Sequence, residues 1–100
     1  MRVRILTFAL ADLAKGREFY EKQAEGIGSY FLDSIFSDID SLALYGGSHA
    51  KVHGFHRLLA RRFPYAIYYK TNSDGEVVVY RVLDCRRDPA KAATALKPFQ

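Results

Sequence analysis

Phe63-Pro64-Tyr65-Ala66-Ile67-Tyr68-Tyr69-Lys70 is followed by Thr71-Asn72-Ser73-Asp74-Gly75 and then by Glu76-Val77-Val78-Val79-Tyr80-Arg81-Val82-Leu83. Two segments rich in tyrosine, valine and isoleucine flank a polar stretch that closes on Asp-Gly. That is the pattern of a β-hairpin, with glycine tolerating positive φ in the loop. Pro64 lacks an N–H donor and belongs at a strand start or edge. Just upstream, Phe55 to Ala60 reads as a further strand. Downstream, Asp88-Pro89 reads as the cap and first turn of a short helix over Ala90 to Lys97.

The first half has a different period. Residues 2–8, RVRILTF, alternate and read as a short strand. From Ala9 the spacing becomes helical, with Leu13, Arg17, Tyr20 and Ala24 on one line, and Gly26-Ile27-Gly28 ends that helix. A second helix from about Ser29 carries an apolar stripe of Phe31, Ile35, Ile39 and Leu42, and Gly46-Gly47 stops it. The order is β-αα-βββ-α: an α+β domain with a helical hairpin packed on one face of a small, mainly antiparallel sheet.

Strand alternation then assigns the two faces. Tyr65, Ile67 and Tyr69 point to the helices, as do His56, Leu58 and Ala60, and Val78, Tyr80 and Val82. The other face would present Arg57, Leu59, Arg61, Ala66, Tyr68, Lys70, Val77, Val79 and Arg81, with Tyr68 exposed. A surface that mixes apolar and cationic groups calls for a partner to cover it.

Composition narrows the function classes. The 100 residues are 49% hydrophobic and 26% charged, which excludes a disordered tail and indicates one domain over residues 1–100. No apolar run approaches the roughly 20 residues of a membrane span. The N-terminus is a poor signal peptide, because its apolar stretch stops at Asp12. The single cysteine, Cys85, is expected as a buried strand-end thiol; it forms no internal disulfide, and a cytoplasmic setting is expected. Residues 1–50 carry five Lys/Arg and seven Asp/Glu, and residues 51–100 carry ten and four, so the second half is the cationic one. That asymmetry suits an anionic partner, either nucleic acid or an acidic protein segment. His49 and His53 fall in a loop, and with His56 they have no Cys or acidic residue among them, so no metal site is expected. No phosphate-binding glycine loop and no Ser/His/Asp arrangement is visible.

Several pieces together resemble a known family. They are Ala9, Asp12 and Leu13 at the start of the first helix, and Phe19-Tyr20 within it. Gly54-Phe55-His56-Arg57, Phe63-Pro64-Tyr65-Ala66-Ile67-Tyr68-Tyr69 and Cys85-Arg86-Arg87-Asp88-Pro89 follow. Over nearly the whole chain this resembles the RelE/ParE superfamily of toxins from bacterial toxin–antitoxin modules, and its ParE-like, plasmid-stabilisation branch in particular. The resemblance implies a growth-inhibiting protein neutralised by a cognate antitoxin that wraps along it, as a hetero-oligomer or beside a homodimer, with no membrane.

Two activities are implied by the superfamily. The RelE-like branch cleaves mRNA on the ribosome, which needs cations for the developing phosphorane and a group that activates the 2′-hydroxyl. Arg57 and Arg86 match two of its basic positions. Leu59 and Ala66 stand where strand cations would be, and Ala92 stands where a tyrosine of the last helix would be. The ParE-like branch acts on DNA gyrase and needs only a binding surface. The resemblance therefore implies a gyrase inhibitor with no catalytic residue, metal or cofactor. Arg57, Leu59, Arg61, Arg62, Tyr68, Arg81, Arg86 and Arg87 are the expected antitoxin or target contacts. The alternatives are a ribosome-dependent endoribonuclease using Arg57, Arg61 or Arg62, Arg81 and Arg86, or an inactive relative that only binds antitoxins.

Overall fold

The computed structural model describes residues 1–100. Strand β1 (Arg2–Ile5) leads into helices α1 (Thr7–Glu21), α2 (Ile27–Asp40) and the single turn α3 (Leu42–Tyr45). Strands β2 (Lys51–Val52), β3 (Phe55–Leu59), β4 (Tyr65–Thr71) and β5 (Glu76–Asp84) follow, then α4 (Pro89–Leu96) and a 3-10 turn (Lys97–Phe99). The sheet order is β1-β5-β4-β3-β2. β1 lies parallel to β5 and the other neighbours are antiparallel.

Local chemistry sets the turns. The Glu21 carboxylate accepts from the N–H groups of Gly26 at 3.0 Å and Gly28 at 2.9 Å, so it caps α2 from the end of α1. Those hydrogen bonds hold its carboxyl below the usual range. Gly26 supplies the left-handed conformation, at φ 88°, that reverses the chain. In the β4–β5 loop, Asn72 Oδ1 accepts from Asp74 N and Glu76 N, both at 3.1 Å. Asp88 caps α4 through Ala90 N at 3.0 Å. The first strand is shorter than the sequence suggests, because Thr7 already opens α1. β2 pairs over only two residues, too few for a pattern to show.

The helical hairpin covers one face, called the front here. Leu13 and Tyr20 from α1, and Phe31, Ile35 and Ile39 from α2, pack on Tyr65, Ile67, Tyr69, Val77, Val79 and Val82. Gly16 lets α1 and α2 close, since a Cβ there would lie 2.6 Å from Phe31 Cζ.

β5 departs from the expected phase. Tyr68 pairs with Arg81, but Tyr69 pairs with Val79, which leaves Tyr80 as an extra, bulged residue. Val77, Val79 and Val82 therefore face front, while Val78, Tyr80 and Arg81 belong to the back. The alternation reading had Val78 and Tyr80 in front and Val77 and Val79 behind; the bulge inverts that half of the strand.

The back of the sheet is also covered, contrary to the expectation of an open face. α4 and the 3-10 turn lie across it, and Leu96 and Phe99 pack with Phe55, Ala66, Tyr68 and Tyr80. Tyr68, expected exposed, is 4% exposed for this reason. No helix is long and apolar enough to cross a membrane.

Candidate docking groove at the β5 edge

β1 stops at Ile5, opposite Val79, but β5 runs on to Asp84. The second half of β5 therefore pairs with β4 alone and has no strand on its other edge. α1 passes in front of this bare edge and α4 behind it. Between them lies a groove of about 590 Å3, floored by Tyr65, Tyr68, Val82 and Leu83 and walled by Asp12, Lys15 and Phe19 on one side and Lys91, Ala92 and Ala95 on the other.

An ion pair spans the groove's inner end. Asp12 accepts from Arg81 Nε at 2.7 Å and from Arg81 Nη2 at 2.8 Å, and its Oδ2 also accepts from Val82 N–H at 3.0 Å. Arg81 Nη1 donates to the Ala95 carbonyl of α4 at 3.4 Å. One guanidinium thus ties α1, β5 and α4 together, and the carboxylate holds it more firmly protonated than a free arginine. At the outer end, Asp84 accepts from Arg86 Nε at 3.0 Å and from Arg86 Nη2 at 2.8 Å. Arg86 holds the Asp84 carboxyl below its ordinary range, and Asp84 in turn pushes the arginine up. The Arg86 guanidinium also sits 5.5 Å from the Phe19 ring centre. Burial, and then the Asp84 charge, push the Tyr65 phenol up to about 12.

Four cations on the groove hold no carboxylate: Lys15, Arg57, Arg87 and Lys91. The groove's four acids are all engaged. Asp12 binds Arg81, Glu18 binds Lys22, Asp84 binds Arg86, and Asp88 caps α4.

The structure brings Arg57, Tyr68, Arg81 and Arg87 to this groove, with Arg86 at its rim through Asp84. Leu59 is 55% exposed at the end of β3, off the groove. Arg61 is elsewhere: its Nε and backbone N–H both donate to the buried Asp38 of α2 at 3.2 Å, so it belongs to the front and not to the open face expected for it. Arg62 is exposed beside it in the β3–β4 connection. Cys85, expected buried, is exposed at the strand end, and its partial desolvation raises the thiol pKa. Asp12, Lys15 and Lys91 are groove residues that sequence reasoning did not nominate. The spacing of Asp12 and Lys15, three apart on one helix, places both on the same side.

His49 is a separate feature. The Tyr69 hydroxyl accepts from Gly47 N–H at 3.0 Å and hydrogen-bonds His49 Nδ1, while His56 stacks on the Tyr69 ring. Burial, and then His56, lower the His49 pKa.

A helical hairpin across one face of a mostly antiparallel sheet, with the first strand parallel at the edge, is the RelE/ParE-like fold that the sequence resemblance implies. In particular, the chain superposes on a chain of the solved structure described as the chromosomal ParDE TA system from P. aeruginosa. The TM-score is 0.73 at 17% identity, over 82% of this chain and 92% of that one. No family model and no curated protein matches the sequence.

Proposed function

We propose that this chain is the toxin of a type II toxin–antitoxin module, neutralised by a cognate antitoxin in the cytoplasm, and that it arrests growth by binding DNA gyrase. The observation that carries the reading is the fold shared with a chain of the ParDE system over 92% of that chain's length. The groove supports the binding half of it, since apolar floor, bare strand edge and unpaired cations suit an acidic protein segment.

The disposition of the arginines supports binding over cleavage. A phosphorane needs several cations free to converge on one point. Here Arg61, Arg81 and Arg86 are each committed to a carboxylate of this chain. No tyrosine follows Tyr80, so the last helix offers no aromatic hydroxyl.

The test has three arms. Inducing the chain in cells that lack the antitoxin should stop growth. Purified chain should inhibit supercoiling by gyrase and leave mRNA intact in a translating ribosome system. Ribosome-dependent mRNA cleavage would replace the gyrase reading with the endoribonuclease one. Undisturbed growth would identify an inactive antitoxin-binding relative.

A further inference from the structure

Between Asp40 and Asp74 the sequence holds five Lys/Arg and three His but no Asp or Glu. That stretch contains β2, β3 and β4, so the β2 edge of the sheet has no carboxylate of its own. At this edge, opposite the one formed by β1, a hollow of about 250 Å3 is lined by Lys51, Gly54, His56, Lys70 and Thr71. No apolar side chain lines it.

Two of these groups are fixed by neutral partners. Lys70 Nζ donates to the Phe99 carbonyl at 3.2 Å, and it lies 4.6 Å from the Phe55 ring centre and 5.4 Å from that of Tyr80. An ammonium has three N–H donors, and the carbonyl takes one. The rings and the carbonyl position the charge without cancelling it. His56 stacks on Tyr69 with ring centres 5.1 Å apart, and its Nδ1 lies 2.6 Å from the His49 carbonyl. A carbonyl only accepts, so Nδ1 carries a proton and Nε2 is the nitrogen left for a ligand. Lys51 is exposed on β2 and holds no carboxylate. Gly54 turns the chain at the hollow with φ 83°, and a Cβ there would meet nothing within 4 Å, so its backbone is open to approach.

Two ammonium groups, an imidazole and a hydroxyl around one small space call for several anionic oxygens on one centre. A carboxylate brings two oxygens and one charge. A phosphate monoester at neutral pH brings three oxygens and a charge of about −1.5 to −2. Nε2 of His56 accepts from a protonated phosphate oxygen or, once protonated itself, donates to a bare one. A peptide segment would find no apolar floor here, unlike in the β5 groove, and the hollow has less than half the groove's volume. It suits one compact group and not a length of chain.

We propose that the hollow at the β2 edge binds a compact phosphate anion, free or as the monoester end of a nucleotide, between Lys51, Lys70 and His56. The site is separate from the β5 groove and independent of the toxin reading.

The full chain, labelled with 15N, is titrated with inorganic phosphate, adenosine 5′-monophosphate, adenosine, and sodium chloride at matched ionic strength. Phosphate and the nucleotide should each give saturable shifts at the Gly54 and Thr71 amides and the His56 ring. Adenosine and chloride should not. At least tenfold tighter binding of the nucleotide assigns the site to a nucleotide phosphate, and equal affinities assign it to the free ion; both support the site. Lys51→Glu should weaken phosphate binding at least tenfold. His56→Phe, which keeps a ring against Tyr69 and removes the nitrogen, should weaken it at least threefold. Arg2→Glu, a like charge change at the opposite edge of the sheet, should keep wild-type affinity. The absence of saturable shifts with either phosphate probe overturns the proposal. So do equal shifts with chloride, an unchanged affinity in Lys51→Glu or His56→Phe, or an equal loss in Arg2→Glu.

Discussion

The two faces of the sheet are covered by different means. On the front, thirteen buried residues form one continuous cluster, in which Phe31 stacks on Tyr20 at 5.1 Å and meets Tyr65 edge-on at 4.9 Å. On the back, only four buried residues form the cluster under α4. Polar clips supply the rest: Lys70 Nζ to the Phe99 carbonyl at 3.2 Å, Gln100 Nε2 to the His53 carbonyl at 2.8 Å, and Arg81 to Ala95 O at 3.4 Å. A fully buried large apolar side chain contributes about 1.5–3 kcal/mol, whereas one such hydrogen bond contributes about 0.5–1.5 kcal/mol. The front therefore holds the fold, and the back is a cover fastened by a few exchangeable contacts beside the groove.

That contrast can be broken by two truncations. Phe31→Ala should cost about 3–5 kcal/mol in urea denaturation, and Leu96→Ala about 2 kcal/mol. Equal losses would mean that the cover is as integral as the hairpin. Comparable to the Leu96 truncation is Asp12→Ala, which strands the Arg81 guanidinium and the Val82 N–H at the seam between the faces. It should cost about 2–3 kcal/mol, and Asp12→Asn should recover part of that by restoring an acceptor. A loss under about 0.5 kcal/mol would show that the seam joins nothing.

Lys70→Met sharpens the contrast on the back alone. The Lys70 ammonium lies 4.6 Å from the Phe55 ring centre, as well as bonding Phe99. Its removal should cost about 1 kcal/mol and speed amide exchange in α4 without changing exchange in α2. The smallest effect concerns His49. Its folded-state pKa lies below the unfolded one, so the unfolded chain binds more protons as pH falls through about 6.5. Acidification through that window should lower the melting temperature, and His49→Gln should flatten the slope there. An unchanged slope would remove His49 from the account.

Regular, central segments were legible from residues alone. Tyr65, Ile67 and Tyr69 alternate in β4, which has a strand on both sides, and their front-facing phase follows directly from period two. The stripe of Phe31, Ile35 and Ile39 and the Asp88-Pro89 cap were equally local. The groove was legible only in pieces. Arg57, Tyr68 and Arg81 were named for their place on a presumed open face and Arg87 through the family resemblance, while Lys15 and Lys91 sit on helices whose neighbours no pattern reveals.

From the sequence alone came the elements, the helical hairpin against a sheet, and a second half that is cationic. Those are properties of composition and of periods a few residues long. Only the tertiary structure decided that Tyr80 bulges, since a run such as Val77-Val78-Val79-Tyr80 has no polar residue to mark its parity. It alone decided that Arg61 meets Asp38, 23 residues away, and that Arg81 meets Asp12, 69 residues away. It also decided that α4 closes the back and leaves the edge of β5 bare. Such pairings depend on which groups the chain brings together in space, and a local period carries no information about that.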